Sequence, residues 1–260
     1  MINEVRNTVL ALLNKNNNGY LTPEEFNLLA KQAQLEIFEE YFYDYNNWIT
    51  KENQRLSNSE SADIVRGYIE VIDGFREPKE QLIKGADYFQ LPIDWYTIDN
   101  VYFDATGLGT DYAKLYDVDR VSTTAASRLL RSNLTTPTVD YPIYFMVEDP
   151  ANPQAGNTTA SGIKVFPLTL PSGVAIGTGN VYINYIRYPK DPNWTWLGIG
   201  ATGDPIFNSA AVDYQDFELP ESDSINLIIK ILLYAGVVIR EPEVIQFAKS
   251  EEVQTSQEES

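Results

Sequence analysis

The segment Asn14-Lys15-Asn16-Asn17-Asn18-Gly19-Tyr20-Leu21-Thr22-Pro23-Glu24-Glu25 constrains the start of this 260-residue chain more tightly than any other stretch. Asn and Gly tolerate the left-handed backbone in which helices exit, so Asn16-Asn17-Asn18-Gly19 ends whatever helix precedes it. Thr22, Pro23 and Glu25 then open another. Thr22 is a good N-cap, Pro23 presets φ at the first helical position, and Glu25 follows the cap by three residues, the spacing of a reciprocal capping box. Val5, Val9, Leu12 and Leu13 mark one face of a first helix, about Asn3 to Leu13. Phe26, Leu29, Ala30, Ala33, Ile37, Tyr41, Tyr45 and Trp48 stripe a second. At helical rise that stripe runs about 35 Å. The expectation is a helical hairpin whose long arm ends in more aromatic side chains (Tyr41, Phe42, Tyr43, Tyr45, Trp48) than one core face needs.

The same turn also matches a calcium-loop pattern at all but one position. Asn16 and Asn18 stand at loop positions 3 and 5, Gly19 at 6 and Glu25 at 12, while Asn14 occupies position 1, where the pattern asks for Asp. A hard divalent cation needs several oxygen ligands, with carboxylates prominent among them. Glu25 is the only charged candidate here, and the capping box already accounts for it. The sequence has no second loop of this kind. The turn reads as a cap, with no metal and no cofactor.

Composition excludes several function classes. With 37 acidic and 19 basic residues, the formal net charge of −18 disfavours binding to phosphate backbones and to anionic membrane surfaces. No apolar run reaches the roughly 18 to 20 residues of a membrane span. Met1-Ile2-Asn3-Glu4 lacks the basic start of a secretory signal, so a soluble, unsecreted chain is expected. Cys and His are both absent. That removes disulfides, thiolate nucleophiles, Cys- or His-ligated metals and the Ser-His-Asp triad. Carboxylates, Lys, Tyr and hydroxyls remain, and the expectation is a protein that is not an enzyme.

Beyond the hairpin, Lys51 to Glu60 reads as a polar connector and Ser61 to Gly74 as a third helix, carried by Ile64, Val65, Tyr68, Ile69 and Ile72. From Leu82 the pattern shifts to short apolar runs broken by Pro, Gly, Asn and Asp. Strands are expected at Tyr88–Pro92, Trp95–Ile98, Asn100–Phe103, Tyr112–Val121, Tyr141–Glu148, Gly162–Leu170 and Asn180–Tyr188, the last apolar on both faces. Between them, Ser122 to Ser132 reads as a short helix capped by Ser122 or Thr123 and anchored by Leu129 and Leu130. Pro150–Asn157 and Pro189–Gly203 read as exposed loops, the second carrying Trp194 and Trp196. Ser222 or Asp223 can cap a helix over Ile225–Tyr234 that Gly236 ends. That helix is apolar almost all round, which predicts burial on several sides, within the protein or beneath another subunit. A short helix follows Pro242. The fold class is α+β: a helical N-terminal region over 1–80, a β-rich domain over 81–220, C-terminal helices over 221–249 and an acidic tail over 250–260.

Two further patterns carry chemistry in other proteins. Gly198-Ile199-Gly200-Ala201-Thr202-Gly203 spells G-x-G-x-x-G. A dinucleotide site needs that motif between a strand and a helix. Here it runs from a Pro/Trp stretch into Asp204-Pro205, so a loop is the better account. Asp94, Asp99, Asp104, Glu148 and Asp149 flank β segments, with Trp95, Trp194 and Trp196 available to stack on sugars, the parts of a two-carboxylate glycan hydrolase or of a carbohydrate-binding module. Because 37 of 260 residues are acidic, such neighbours arise by composition, and a solvated acidic surface is the plainer reading. The sequons at Asn133, Asn157 and Asn193 carry no weight without a secretory route.

Several stretches together resemble virion structural proteins of crAss-like and other short-tailed bacteriophages, of the head–tail connector or portal-vertex ring kind. They are Asn14 to Asn27 with Ala30-Lys31-Gln32-Ala33-Gln34, Tyr185 to Trp194, Asp216-Phe217-Glu218-Leu219-Pro220, and Leu233 to Val244. The resemblance implies a homo-oligomeric, twelve-fold ring at the portal vertex or tail, in contact with the portal and other tail or ring proteins. It implies a location in the virion after synthesis in the bacterial host cytoplasm. It also implies a conduit through which DNA passes without sequence-specific binding, and no catalysis.

Overall fold

The structure, a computed structural model, describes residues 1–14, 21–53, 61–85, 87–105, 115–149, 160–170, 173–198 and 205–239, with 14, 48–53, 61–65, 149, 160 and 237–239 described by their backbone alone. The architecture is α+β. The chain divides into two compact units, Met1–Gly74 with Pro189–Ser260, and Phe75–Tyr188. The first unit is discontinuous in sequence, because residues after Tyr188 return to the N-terminal helices.

The first unit is built on α1 (Ile2–Asn14), α2 (Pro23–Asn53), α3 (Ser61–Asp73) and α5 (Ser224–Ile239). α5 packs on α1 and α2, and α3 packs on α2. The core follows the helical stripes: Ile2, Val5, Val9 and Leu13 from α1, Phe26, Ala30, Ala33, Ile37 and Phe38 from α2, and Leu227, Ile231, Leu232 and Ala235 from α5 are all buried. Ala30 and Ala33, in the first third of α2, bring little side-chain bulk between packed helices. Leu12, expected on the buried face, is 39% exposed because it lies off the stripe that Val5, Val9 and Leu13 define. Two expectations need correction. The segment after Trp48 is not all connector, since α2 continues to Asn53. α5 runs through Gly236 to Ile239, as packing at Leu232 and Ala235 outweighs the roughly 1 kcal/mol that a mid-helix glycine costs. α5 is buried on several sides as its apolar sequence predicts, with Ile225 near its start 66% exposed.

The second unit holds two sheets, of order β1-β9-β4-β5 and β2-β3-β8-β7-β6. Their strands are β1 (Arg76–Gln81), β2 (Ile83–Lys84), β3 (Phe89–Gln90), β4 (Trp95–Asp104), β5 (Leu115–Asp117), β6 (Asp119–Arg120), β7 (Ile143–Asp149), β8 (Ala160–Phe166) and β9 (Val181–Arg187). β9 lies between β1 and β4 and is buried on both faces through Val181, Tyr182, Ile183, Tyr185 and Ile186, as its apolar run predicts. Leu82, Phe89, Val101, Phe103, Ile163, Val165 and Ile176 complete this core. β4 is one strand where the sequence reads as two, because its register against β9 slips twice, between Trp95 and Thr97 and between Ile98 and Asn100. α4 (Thr123–Arg131) is capped as expected, with the Ala125 N–H donating to the Ser122 hydroxyl at 3.2 Å. It is anchored by Ala126, at 1% exposure, and not by Leu130, at 39%.

β1 is the largest correction, because it places strand inside the region expected to be helical to residue 80. Its sequence, Arg-Glu-Pro-Lys-Glu-Gln, has no apolar periodicity. It pairs antiparallel with β9 at the sheet edge, where charged residues and Pro78 are tolerated, and Lys79 at φ 54° forms the irregularity between Glu77 and Glu80.

Candidate functional site

The turn that opened the sequence reading ends in the predicted capping box. The Thr22 N–H donates to Glu25 Oε2 at 2.9 Å, the Thr22 hydroxyl to the same oxygen at 2.8 Å, and the Glu25 N–H to Thr22 Oγ1 at 3.3 Å. The bond from the Thr22 backbone, with help from its hydroxyl, holds the Glu25 carboxyl below its ordinary range. Residues 15–20, which include Asn16, Asn18 and Gly19, lie outside the described residues, as does the side chain of Asn14. Among the described residues no group of three or more acidic side chains could hold a metal ion.

Trp194, expected in an exposed loop, is 1% exposed and heads the fully buried side chains. Three helical residues hold it. Its indole N–H donates to Asn3 Oδ1 at 3.0 Å, and the Arg6 guanidinium lies 3.8 Å from its ring centroid. Asn27 acts as a two-way clamp, accepting the Trp194 backbone N–H at 2.9 Å and donating to the Trp194 carbonyl at 3.2 Å and to Asn193 Oδ1 at 2.8 Å. Asn193 in turn donates to the Asp213 carbonyl at 2.8 Å. A ring so enclosed cannot stack on a sugar. Sequence reasoning missed this clamp because Asn3, Arg6 and Asn27 are more than 160 residues from Trp194 along the chain.

The clamp roots a small antiparallel hairpin, β10 (Trp196–Leu197) with β11 (Ile206–Phe207). Trp196 and Phe207 stack on Trp194 at centroid distances of 6.0 and 5.7 Å. The Asn208 N–H donates to the Thr195 carbonyl at 2.9 Å, and the Thr195 hydroxyl donates back to the Asn208 carbonyl. On this rigid base the outward side chains are apolar: Leu197 is 58% exposed, Ile206 49% and the following Val212 fully so. Of the G-x-G-x-x-G segment only Gly198 is described, just after β10, which pairs antiparallel with β11.

The carboxylates proposed for glycan chemistry are engaged separately. Asp94 accepts from the Tyr185 hydroxyl at 3.3 Å, and this burial beside a carboxylate pushes the Tyr185 phenol far up. Asp99 pairs with Arg76 at 3.4 Å. Asp104 is buried at the far end of β4, about 30 Å of extended strand from Asp94. Glu148 and Asp149 belong to β7 in the other sheet. Trp95 sits half-buried at the start of β4.

Between α2 and α5 lies a polar network that the apolar sequence of α5 does not suggest. Buried Lys230 pairs with Glu40 at 2.7 Å and Glu36 at 3.3 Å, and the Tyr234 hydroxyl donates to Glu36. The Tyr41 hydroxyl donates to Asp223 at 2.5 Å, and burial pushes the Asp223 carboxyl up against that bond. Asp216 has the opposite balance. Burial would raise it, but the N–H groups of Ile2 and Phe217, each at 2.8 Å, and the Met1 ammonium hold it below the usual carboxylate range. The Lys230 and Tyr234 bonds tie α2 to α5, Tyr41 ties α2 to the turn before α5, and Asp216 ties the start of α1 to the segment after β11.

No family model matches the chain, and no curated protein is significantly similar to it. No helix among the described residues is long and apolar enough to cross a membrane.

Proposed function

We propose that this chain is a non-enzymatic structural protein of a short-tailed bacteriophage virion, a ring-forming head–tail connector that joins portal to tail and forms part of the DNA conduit. One observation carries the assembly part of this reading. Leu197 and Ile206 stand in solvent as a cross-strand pair on a hairpin held to the helices by the Trp194 clamp, and such a surface is suited to being covered by protein. The aromatic end of α2 supports it, since Tyr43 is 66% exposed. The sequence resemblance supplies the virion context, and the net charge of −18 suits a conduit that must let DNA slide. Against the two rivals, burial of Trp194 leaves Trp196 as the exposed tryptophan of that loop, and Asp94 and Asp99 are engaged with Tyr185 and Arg76.

Native mass spectrometry of the purified chain, together with imaging of purified virions, tests the proposal. A closed oligomer, or the chain found at the portal vertex, is expected. A chain that is strictly monomeric and absent from particles refutes it, and a ring whose lumen is basic refutes the conduit.

A further inference from the structure

We infer that α4 and the turn after it form a docking surface for a short acidic, partly apolar segment of another protein, an inference that goes beyond ring assembly and does not depend on it. From Arg120 to Val139 the chain holds three arginines and no acidic residue, a local charge of +3 between Asp119 and Asp140. No other twenty-residue stretch exceeds +2. The unit that carries it, Phe75–Tyr188, also repels an acidic partner less. It has nine basic and twelve acidic residues, against ten and twenty-five in the rest of the chain. Arg120, Arg128 and Arg131 are all exposed. Among the described residues no carboxylate pairs with any of them, whereas Lys31, Arg76, Arg187 and Lys230 each meet one within 3.4 Å.

The helix is placed to present these charges. Ala126 is its buried residue, and it packs on β7. Arg128 and Arg131 lie one turn apart on a shared face, and Leu130 between them is 39% exposed. The chain then turns back on the helix end. There the Thr135 and Thr136 hydroxyls donate to the Leu129 and Ser132 carbonyls at 3.5 and 2.6 Å, and Leu134 is left 94% exposed. Arginines in a last turn complement the helix carbonyls, but that accounts neither for the missing acids nor for the leucines. The mixture selects the partner. Guanidinium groups pair bidentately with carboxylates, and the leucines leave area for apolar side chains to cover. Duplex DNA brings phosphates and no apolar counterpart. A second copy would bring −18 to a patch that holds +3. A short segment with a few carboxylates among apolar residues matches both the arginines and the leucines.

Fluorescence anisotropy of a fluorescein-labelled Glu-Leu-Glu-Glu-Leu-Glu peptide, titrated with the full chain at low salt, tests this. Saturable binding is expected, and it should weaken as salt rises. Arg128→Gln with Arg131→Gln, both at exposed sites, should keep the melting temperature and weaken binding about tenfold, the scale of two exposed charge pairs. Lys190→Gln, an exposed lysine of the other unit, should leave binding unchanged. Leu134→Ala should weaken binding and keep its salt dependence. No saturable binding up to about 1 mM chain overturns the inference. So does equal binding of a Gln-Leu-Gln-Gln-Leu-Gln peptide, or binding that the double arginine substitution does not move. Duplex DNA bound more tightly than the peptide would assign the arginines to phosphate and overturn the acidic-segment reading. An oligomer that native mass spectrometry finds for the unsubstituted chain and not for the double substitution would assign the patch to a second copy, and also overturn it. A chain lacking residues 250–260 that binds the peptide tenfold better would assign the patch to the chain's own acidic end, with the same consequence.

Discussion

At Glu25 two chemistries compete for one side chain, a helix cap and a metal ligand. Both Thr22 donors converge on Oε2, the arrangement of a helix cap. Thr22→Ala should therefore lower stability by about 1 kcal/mol in urea unfolding. Millimolar calcium should leave the melting temperature unchanged, and a clear calcium-dependent rise would return Glu25 to the metal-ligand role. The cap also predicts a pH dependence. Glu25 is depressed in the folded state, so its contribution is present above the 4.5 of an unperturbed glutamate and is lost as pH falls through the lower folded value. The stability difference between wild type and Glu25→Gln should accordingly be largest near neutrality and fade in acid. Trp194 belongs to the same scale. Trp194→Ala empties a buried indole site beneath the Arg6 guanidinium and should cost about 3 to 5 kcal/mol. A small change would mean that the ring does not hold the helical unit together.

Elements were legible in the sequence where local chemistry alone decides them. α1, α2 and the Ser122 cap follow from apolar spacing and N-cap residues, and β9 from an apolar run with no polar face. β1 was not legible, because a polar hexapeptide becomes a strand only when β9 offers it an edge. The run through Gly236 was hidden for a related reason, since glycine ends a helix unless tertiary packing extends it. The candidate site was half legible. Trp194 and Trp196 were visible as unusual residues, but their burial depends on Asn3, Arg6 and Asn27, which no local pattern links to them. Strand packing in the second unit makes its own prediction. A Cβ at Gly162 of β8 would strike the ring of Tyr88 and come within 2.6 Å of the Phe89 carbonyl on neighbouring β3. Backbone cannot yield as a flexible side chain can, so Gly162→Ala should destabilise by about 1 to 3 kcal/mol in thermal or urea unfolding, as overpacked cores do. An unchanged midpoint would mean that β3 and β8 can part at little cost.

For the whole molecule the dominant quantity is charge. A chain at −18 resists the approach of another copy over a distance set by the ionic atmosphere, about 10 Å at 0.1 M salt and about 3 Å at 1 M. If copies meet through apolar side chains such as Leu197 and Ile206, screening removes the opposing repulsion and leaves the apolar contact intact. The sign of the salt effect is thereby fixed. Between about 0.1 and 1 M sodium chloride, sedimentation velocity at constant protein concentration should find a growing fraction of oligomer. Copies joined by cross-subunit ion pairs would respond the other way and fall apart as salt rises. The same charge predicts no retention of duplex DNA at low salt, where a basic surface would bind it most strongly. Oligomer that dissolves in salt would assign the contact to ion pairs and not to apolar side chains. DNA retained at low salt would require a basic face that the overall charge conceals, and the conduit would then have to be one that grips its DNA.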